Sequence, residues 1–149
     1  LLSKAIAHEI GHGAFELKEF LKTHFTDTLD WIDLGCSSKD SVDYPDYAKK
    51  IANEIQKAFS GAELLEPCGV LLCGSGVGVS IQANRFSWIR AALVESEQVA
   101  VLSRQHNASN VLCMGGRIVS QEKALSIFAA WKQTNFEGGR HLARIQKLE

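Results

Sequence analysis

The chain has 149 residues, enough for one domain with a full-sized core, and its 16 Lys and Arg nearly cancel its 17 Asp and Glu. No basic excess points to nucleic acid as the main partner, and no apolar run is long enough to span a bilayer. The cysteines at 36, 68, 73 and 113 form no C-x-x-C pair and lie in or beside apolar segments, which predicts reduced thiols and a cytoplasmic setting. The opening Leu1-Leu2-Ser3-Lys4 has neither the layout of a signal peptide nor a start Met, which leaves room for residues ahead of it.

In chain order, Lys4-Ala5-Ile6-Ala7 with its polar continuation to residue 10 predicts a first short strand. Phe15, Leu17, Phe20 and Leu21 recur at helical spacing, so 14–24 is a predicted helix. Residues 29–34 alternate and stop at Gly35, as a strand does, and the polar stretch 36–44 is a predicted mobile loop. Pro45 suits the first turn of a helix, and Tyr47, Ile51, Ile55 and Phe59 follow on one face.

Gly69 to Cys73 is the next apolar run, followed by a turn with glycines at 74, 76 and 78 and a helix carrying Val77, Ile81 and Ala83. Arg90–Val94 predicts a strand, Glu97–Arg104 a helix, and Asn110–Met114 a fifth strand stopped by Gly115-Gly116. Ser120 is placed to cap a helix with Ala124, Ile127, Phe128 and Trp131 on one face. Phe136–Gly139 breaks it, and a short basic helix closes the chain, at about 138–149. There is no internal repeat or linker. The alternation of strands and helices predicts one α/β domain over 1–149, a Rossmann-like three-layer α/β/α sandwich with a five-stranded parallel sheet.

The stretch from Gly69 to Asn84 organises the rest. A glycine turn between a strand and a helix N-terminus lets the backbone approach a ligand and aims several N–H groups at one spot, which makes an anion site. Cys73 puts a thiol at the strand's end and Ser75 a hydroxyl inside the turn, where open parallel sheets place their chemistry. A tight structural turn with Cys73 as a small buried residue fits this stretch equally well.

A second pattern competes. His8-Glu9-Ile10-Gly11-His12 matches H-E-x-x-H, which on a helix puts two imidazoles on one face for zinc with the glutamate as general base. Read alone it suggests a zinc metallopeptidase. The apolar run Ala5–Ala7 before it and Gly11 and Gly13 around it argue for a strand and a turn instead. The extended form of the motif would need glycine and histidine where Phe15 and Lys18 stand.

Several separate segments then converge in order: His12-Gly-Ala-Phe15-Glu-Leu17-Lys18, Asp43-Tyr44-Pro45-Asp-Tyr47-Ala48, Cys73-Gly-Ser75-Gly-Val-Gly78 with Asn84, Ser103-Arg104-Gln105-His106-Asn107, Gly116-Arg117, and Glu137-Gly-Gly-Arg140-His-x-x-Arg144. Over nearly the whole chain the sequence resembles the type B ribose-5-phosphate isomerase family, which also includes the galactose-6-phosphate isomerase subunits. The resemblance implies an enzyme that interconverts ribose 5-phosphate and ribulose 5-phosphate through a cis-enediolate in the pentose phosphate pathway, with no metal or other cofactor. It also implies a homodimer or a tetramer of dimers whose sites combine residues of two subunits. The partner is a phosphorylated sugar; nucleic acid and membrane are not expected.

The resemblance also distributes roles. Cys73 matches the base that removes the proton next to the carbonyl, and the N–H groups of Gly74, Gly76, Val77 and Gly78 match the anion hole. Ser75 would shuttle a proton between the substrate oxygens, a task for a group that both donates and accepts. His106 matches the ring-opening residue, an imidazole that exchanges protons near neutral pH, and Asn107 would orient the sugar. Arg117, Arg140 and Arg144 match phosphate ligands, with His12 assisting, since guanidinium forks suit phosphate oxygens. Tyr44 would close over the sugar. Cys113, inside a strand with no glycine turn, reads as inert core, and His24 and His141 read as surface positions.

One position departs from the family. An acidic residue precedes the histidine at 12 in its members, and here Gly11 stands there. Three rival readings stand beside the isomerase: a hexose 6-phosphate isomerase of galactose or allose type, a non-catalytic sugar-phosphate-binding protein that lost catalysis through Gly11, and the zinc metallopeptidase of His8-Glu9-x-x-His12.

Overall fold

The structure, a computed structural model, describes residues 4–9, 12–35 and 43–148. The first half holds β1 (Lys4–Glu9), α1 (His12–Phe25), β2 (Asp30–Asp33) and α2 (Tyr44–Ala58). A 3-10 turn at Gly61–Leu65, which no periodicity in the sequence announces, leads to β3 (Gly69–Cys73). The second half holds α3 (Val77–Ala83), β4 (Ala91–Leu93), α4 (Glu97–Asn107), β5 (Val111–Gly115), α5 (Gln121–Gln133) and α6 (Arg140–Ile145). Among the described residues no helix is long and apolar enough to cross a membrane.

The strands form one five-stranded sheet in the order β2-β1-β3-β5-β4, and each neighbouring pair is parallel. Successive side chains of a strand point to opposite faces. Val70 and Leu72 of β3, with Leu112 and Met114 of β5, therefore share one core with α1, α4 and α5. Leu71, Cys73, Val111 and Cys113 share the other with α2 and α3. Every residue of β3 and β5 is buried, which is why these strands read as unbroken apolar runs rather than alternating ones.

Chain direction fixes where a ligand meets the sheet. After β1 the chain turns through α1 to β2 on one side, and after β3 it turns through α3 toward β4 on the other. The strand order reverses between β1 and β3, so their carboxyl ends flank the crevice where open α/β sheets bind ligands. Both ends feed helices there, α1 from His12 and α3 from Val77.

Local signals explain several element ends. Pro45 occupies the first turn of α2. The Ser120 hydroxyl caps α5 by accepting from the Lys123 N–H at 3.2 Å, and Ser96 caps α4 by accepting from Val99 at 3.3 Å. Helix α4 continues three residues past the expected Arg104 and ends on Ala108, a left-handed residue (φ 46°) where sequence rules look for glycine. The terminal helix is shorter than expected, stopping at Ile145.

The H-E-x-x-H pattern is not helical. His8 and Glu9 lie on β1, paired with Leu71 and Leu72 of β3, and α1 begins only at His12. His8 and His12 therefore belong to different elements, and the single helix that the i, i+4 zinc spacing needs is not formed by them.

The sheet edges are short. At β4 the side chain of Asn84 bonds the backbone of Ala91 twice, Nδ2 donating to its carbonyl at 2.9 Å and Oδ1 accepting its N–H at 2.8 Å. At the other edge β2 is bracketed by Asp30 and Asp33.

Candidate active site

Strand β3 delivers Cys73 to the crevice. Its thiol is 8% exposed, whereas Cys68 and Cys113 are fully buried. Burial pushes the Cys68 thiol up to about 12 and raises that of Cys113 as well. Cys73 alone of the three has a backbone donor on its sulfur: the N–H of Gly76 donates to Sγ at 2.9 Å. That contact fixes the sulfur against the turn at the carboxyl end of β3.

The turn after Cys73 is held in shape by close backbone packing. Gly76 has φ 79°, and a Cβ there would sit 2.6 Å from Leu93 Cδ1 and 2.9 Å from the Met114 carbonyl carbon. The β5–α5 loop clasps the turn, with the Gly116 N–H donating to the Cys73 carbonyl at 2.8 Å and the Arg117 N–H to the Gly74 carbonyl at 3.0 Å. Ser75 is exposed, and its Oγ accepts from the Val77 N–H at 3.3 Å.

Two predicted side chains lie on the glycines of this turn. The Arg117 guanidinium carbon is 3.3 Å from where a Cβ on Gly74 would stand, so a cation packs directly on the turn. The Tyr44 ring is 2.8 Å from where a Cβ on Gly78 would stand, and it is 44% exposed, as a cover over the crevice would be. His12 opens α1 beyond β1, whose Glu9 pairs with Leu72, so its backbone belongs to the same end of the sheet. Gly11 lies outside the described residues, as does most of the expected 36–44 loop.

Substitution at Gly76 tests this construction. Gly76→Ala adds backbone strain of about 1–3 kcal/mol and a steric conflict of similar size. Gly61→Ala adds the strain alone, because Gly61 has φ 55° and nothing within 4 Å of the new methyl. Urea unfolding should therefore show the larger loss of midpoint for Gly76→Ala. Equal losses would mean that the turn is looser than described.

The remaining predicted residues form a second cluster at the opposite edge of the sheet. Helix α4 runs from the carboxyl end of β4 back toward the start of β5, so His106 and Asn107 emerge at the amino edge. At the rise of a parallel strand the run from Val111 to Gly115 spans about 13 Å. Cys73 pairs with Gly115 at the far end of that run. Within one chain the thiol and the His106 imidazole are too far apart for one small molecule to touch both.

The amino-edge cluster is well organised. Helix α6 packs on α4 and lays the His141 ring flat against His106, with centroids 4.4 Å apart and an interplanar angle of 12°. Arg140 and Arg144 lie exposed beside it. His141 Nε2 is 3.5 Å from a carboxylate oxygen of Glu137, whose N–H donates to the Gln105 carbonyl at 3.1 Å. His141 is thus not the surface position that the sequence suggested; it is 6% exposed. Burial and the neighbouring His106, Arg140 and Arg144 push its pKa down, against the pull of Glu137. His24 is exposed, with its ring beside Phe20.

Beneath this cluster Arg104 is fully buried. Its Nη1 donates to the Ser109 carbonyl at 2.7 Å and its Nε to the Thr134 carbonyl at 3.2 Å, which ties α4 to the end of α5. Burial, partly offset by Glu66, draws its pKa down to about 10. Sequence reading gave Arg104, His141 and Glu137 no task. Helical periodicity places the first two on α4 and α6 but cannot say that those faces meet.

The family model described as Ribose/Galactose Isomerase matches residues 6–148. Ribose-5-phosphate isomerase B of Escherichia coli (strain K12) is 41% identical over 146 residues, covering 97% of this chain and 94% of its own. A ribose 5-phosphate isomerase structure from Thermotoga maritima superposes with a TM-score of 0.89 at 41% identity, covering 98% of this chain and 97% of that one. Ribose-5-phosphate isomerase B of Mycoplasma genitalium, solved with bound ribulose-5-phosphate, gives a TM-score of 0.87 at 38% identity, covering 99% and 95%.

Proposed function

Because the chain belongs to the ribose/galactose isomerase family, we propose that it is an aldose–ketose isomerase that interconverts ribose 5-phosphate and ribulose 5-phosphate. Its fold is read as one Rossmann-like three-layer domain. The observation that carries the reading is the Cys73 sulfur at the end of β3, accepting the Gly76 N–H inside a turn that also bears Ser75 and faces Arg117.

In this reading the site is shared by two copies of the chain. His106 and Asn107 of a second copy meet the crevice of the first; His106 moves a proton between ring oxygens and opens the sugar. The Cys73 thiolate takes the proton from C2 of the aldose, and the electron pair flows into the C1 carbonyl. The enediolate oxygens rest on the N–H groups of the turn: those of Gly74 and Gly78 directly, and those of Gly76 and Val77 once they let go of Cys73 Sγ and Ser75 Oγ. Ser75 passes a proton from the C2 hydroxyl to the C1 oxygen, and the Cys73 thiol returns its proton to C1, giving the ketose. Arg117 holds the phosphate from the first copy, Arg140 and Arg144 from the second, with His12 assisting. Tyr44 covers the sugar.

Two features support a two-fold pair. The two clusters lie at opposite edges of one sheet, and an isologous pair brings each edge to the other's partner twice, making two complete sites. Apolar side chains are also left exposed on the elements involved: Val77 and Ile81 on α3, Val99 and Leu102 on α4, and Leu142 on α6. A homodimer, or a tetramer of such dimers, would cover them. Free thiols at Cys68, Cys73 and Cys113 suit a reducing, cytoplasmic setting.

The test is an isomerisation assay across ribose 5-phosphate and the hexose 6-phosphates with chelator present. Turnover should be fastest on the pentose and should survive the chelator. Preference for a hexose would move the substrate assignment within the family. Binding of sugar phosphates without any turnover would replace the isomerase with a binding protein.

A further inference from the structure

We propose that His106, Glu137 and His141 form a binding site for a late first-row divalent cation, with Zn²⁺ the best-suited ion. Two imidazoles and one carboxylate are a donor set that such ions take with three protein ligands and an open fourth position. One ligand atom from each residue lies within 4.8 Å of the other two. For bonds to a tetrahedral zinc, neighbouring ligand atoms stand about 3.4 Å apart. His141 Nε2 and Glu137 Oε2, at 3.5 Å, already have that spacing.

The third ligand has room to join. His106 is half-buried in the last turn of α4, and its ring must turn out of the near-parallel stack on His141 to aim its nitrogen at a shared ion, closing a gap of at most about 1.4 Å. The backbone of two of the three is pinned. Glu137 is tied through its N–H to the Gln105 carbonyl, and His141 through its N–H to the Gly138 carbonyl at 3.0 Å. Glu137 is exposed, which leaves the fourth position open to water.

Occupancy has a consequence that rests on the isomerase reading above. An imidazole bound to a cation through its basic nitrogen cannot carry the ring-opening proton, so the ion inhibits, reversibly.

The test uses the whole protein. Calorimetric titration with Zn²⁺, and titration with Co²⁺ followed by visible absorption, should show one site with a tetrahedral cobalt spectrum. Glu137→Gln and His141→Asn should each weaken Zn²⁺ binding about tenfold or more. Metal-free Glu137→Gln should isomerise at the native rate, and its activity should resist Zn²⁺ that silences the native protein until chelator is added. Absence of Zn²⁺ binding, or an affinity unchanged in both variants, overturns the proposal. If zinc binds with the expected variant pattern yet leaves turnover untouched, the metal site stands and the ring-opening role of His106 falls.

Discussion

Cys73→Ala should lower turnover by a factor of about 10²–10⁴, the range for losing a positioned general base, and should stop exchange of solvent deuterium into the sugar. The sulfur ends a buried strand and meets the Gly76 N–H, so the group removed is a proton acceptor fixed at that point of the crevice. The phosphate contacts assigned to Arg117, Arg140 and Arg144 are untouched, so KM should change much less than kcat. Cys113→Ala is the control. That thiol is fully buried and lies inside β5, so its loss should lower stability while leaving exchange in place. Ordinary exchange in Cys73→Ala, with the fold intact, would remove the thiol from the mechanism.

Two dead variants should revive each other. Cys73→Ala and His106→Ala damage opposite edges of the sheet, and a two-fold pair of one with the other contains one undamaged site. Unfolding the two together and refolding at equal amounts gives half mixed pairs by chance, each with one of two sites intact, so activity should return to about one quarter of native. A site built within a single chain gives no recovery, because each chain carries one lesion. Refolding each variant alone gives the baseline, and an Arg144→Ala chain should complement Cys73→Ala but not His106→Ala, since Arg144 and His106 share the amino edge.

Much of the crevice was legible in the sequence because it is local. An apolar run ending at Cys73, with glycines at 74, 76 and 78, already describes a strand, a tight turn and a helix start. The alternation of elements already implied a parallel sheet. The H-E-x-x-H pattern is a match of letters alone, and the apolar run ahead of it, which argues for a strand, continues as one through Glu9.

What stayed hidden depends on contacts between distant elements. His141 looks like part of a solvated basic tail until α6 is laid on α4. Arg104 looks like a helix-end cation until the carbonyls of Ser109 and Thr134 close around it. Gly115 looks like a strand stop, yet its lack of a side chain admits the Ser75 carbonyl, 2.7 Å from where its Cβ would be. Helix α4 outran its expected end because Ala108 takes a left-handed conformation that composition does not signal.

The double bond from Asn84 to Ala91 has a bearing on solubility. A parallel sheet with a bare border is a template on which further chains can polymerise. Here the amide of one side chain imitates a passing backbone and occupies both the donor and the acceptor of Ala91. At the far border the Asp33 carboxylate is held by the ammonium groups of Lys18 and Lys22, at 2.8 and 2.6 Å, so charged side chains of α1 dress that border. Crowded copies of this chain are thereby steered away from fibre growth along the strands.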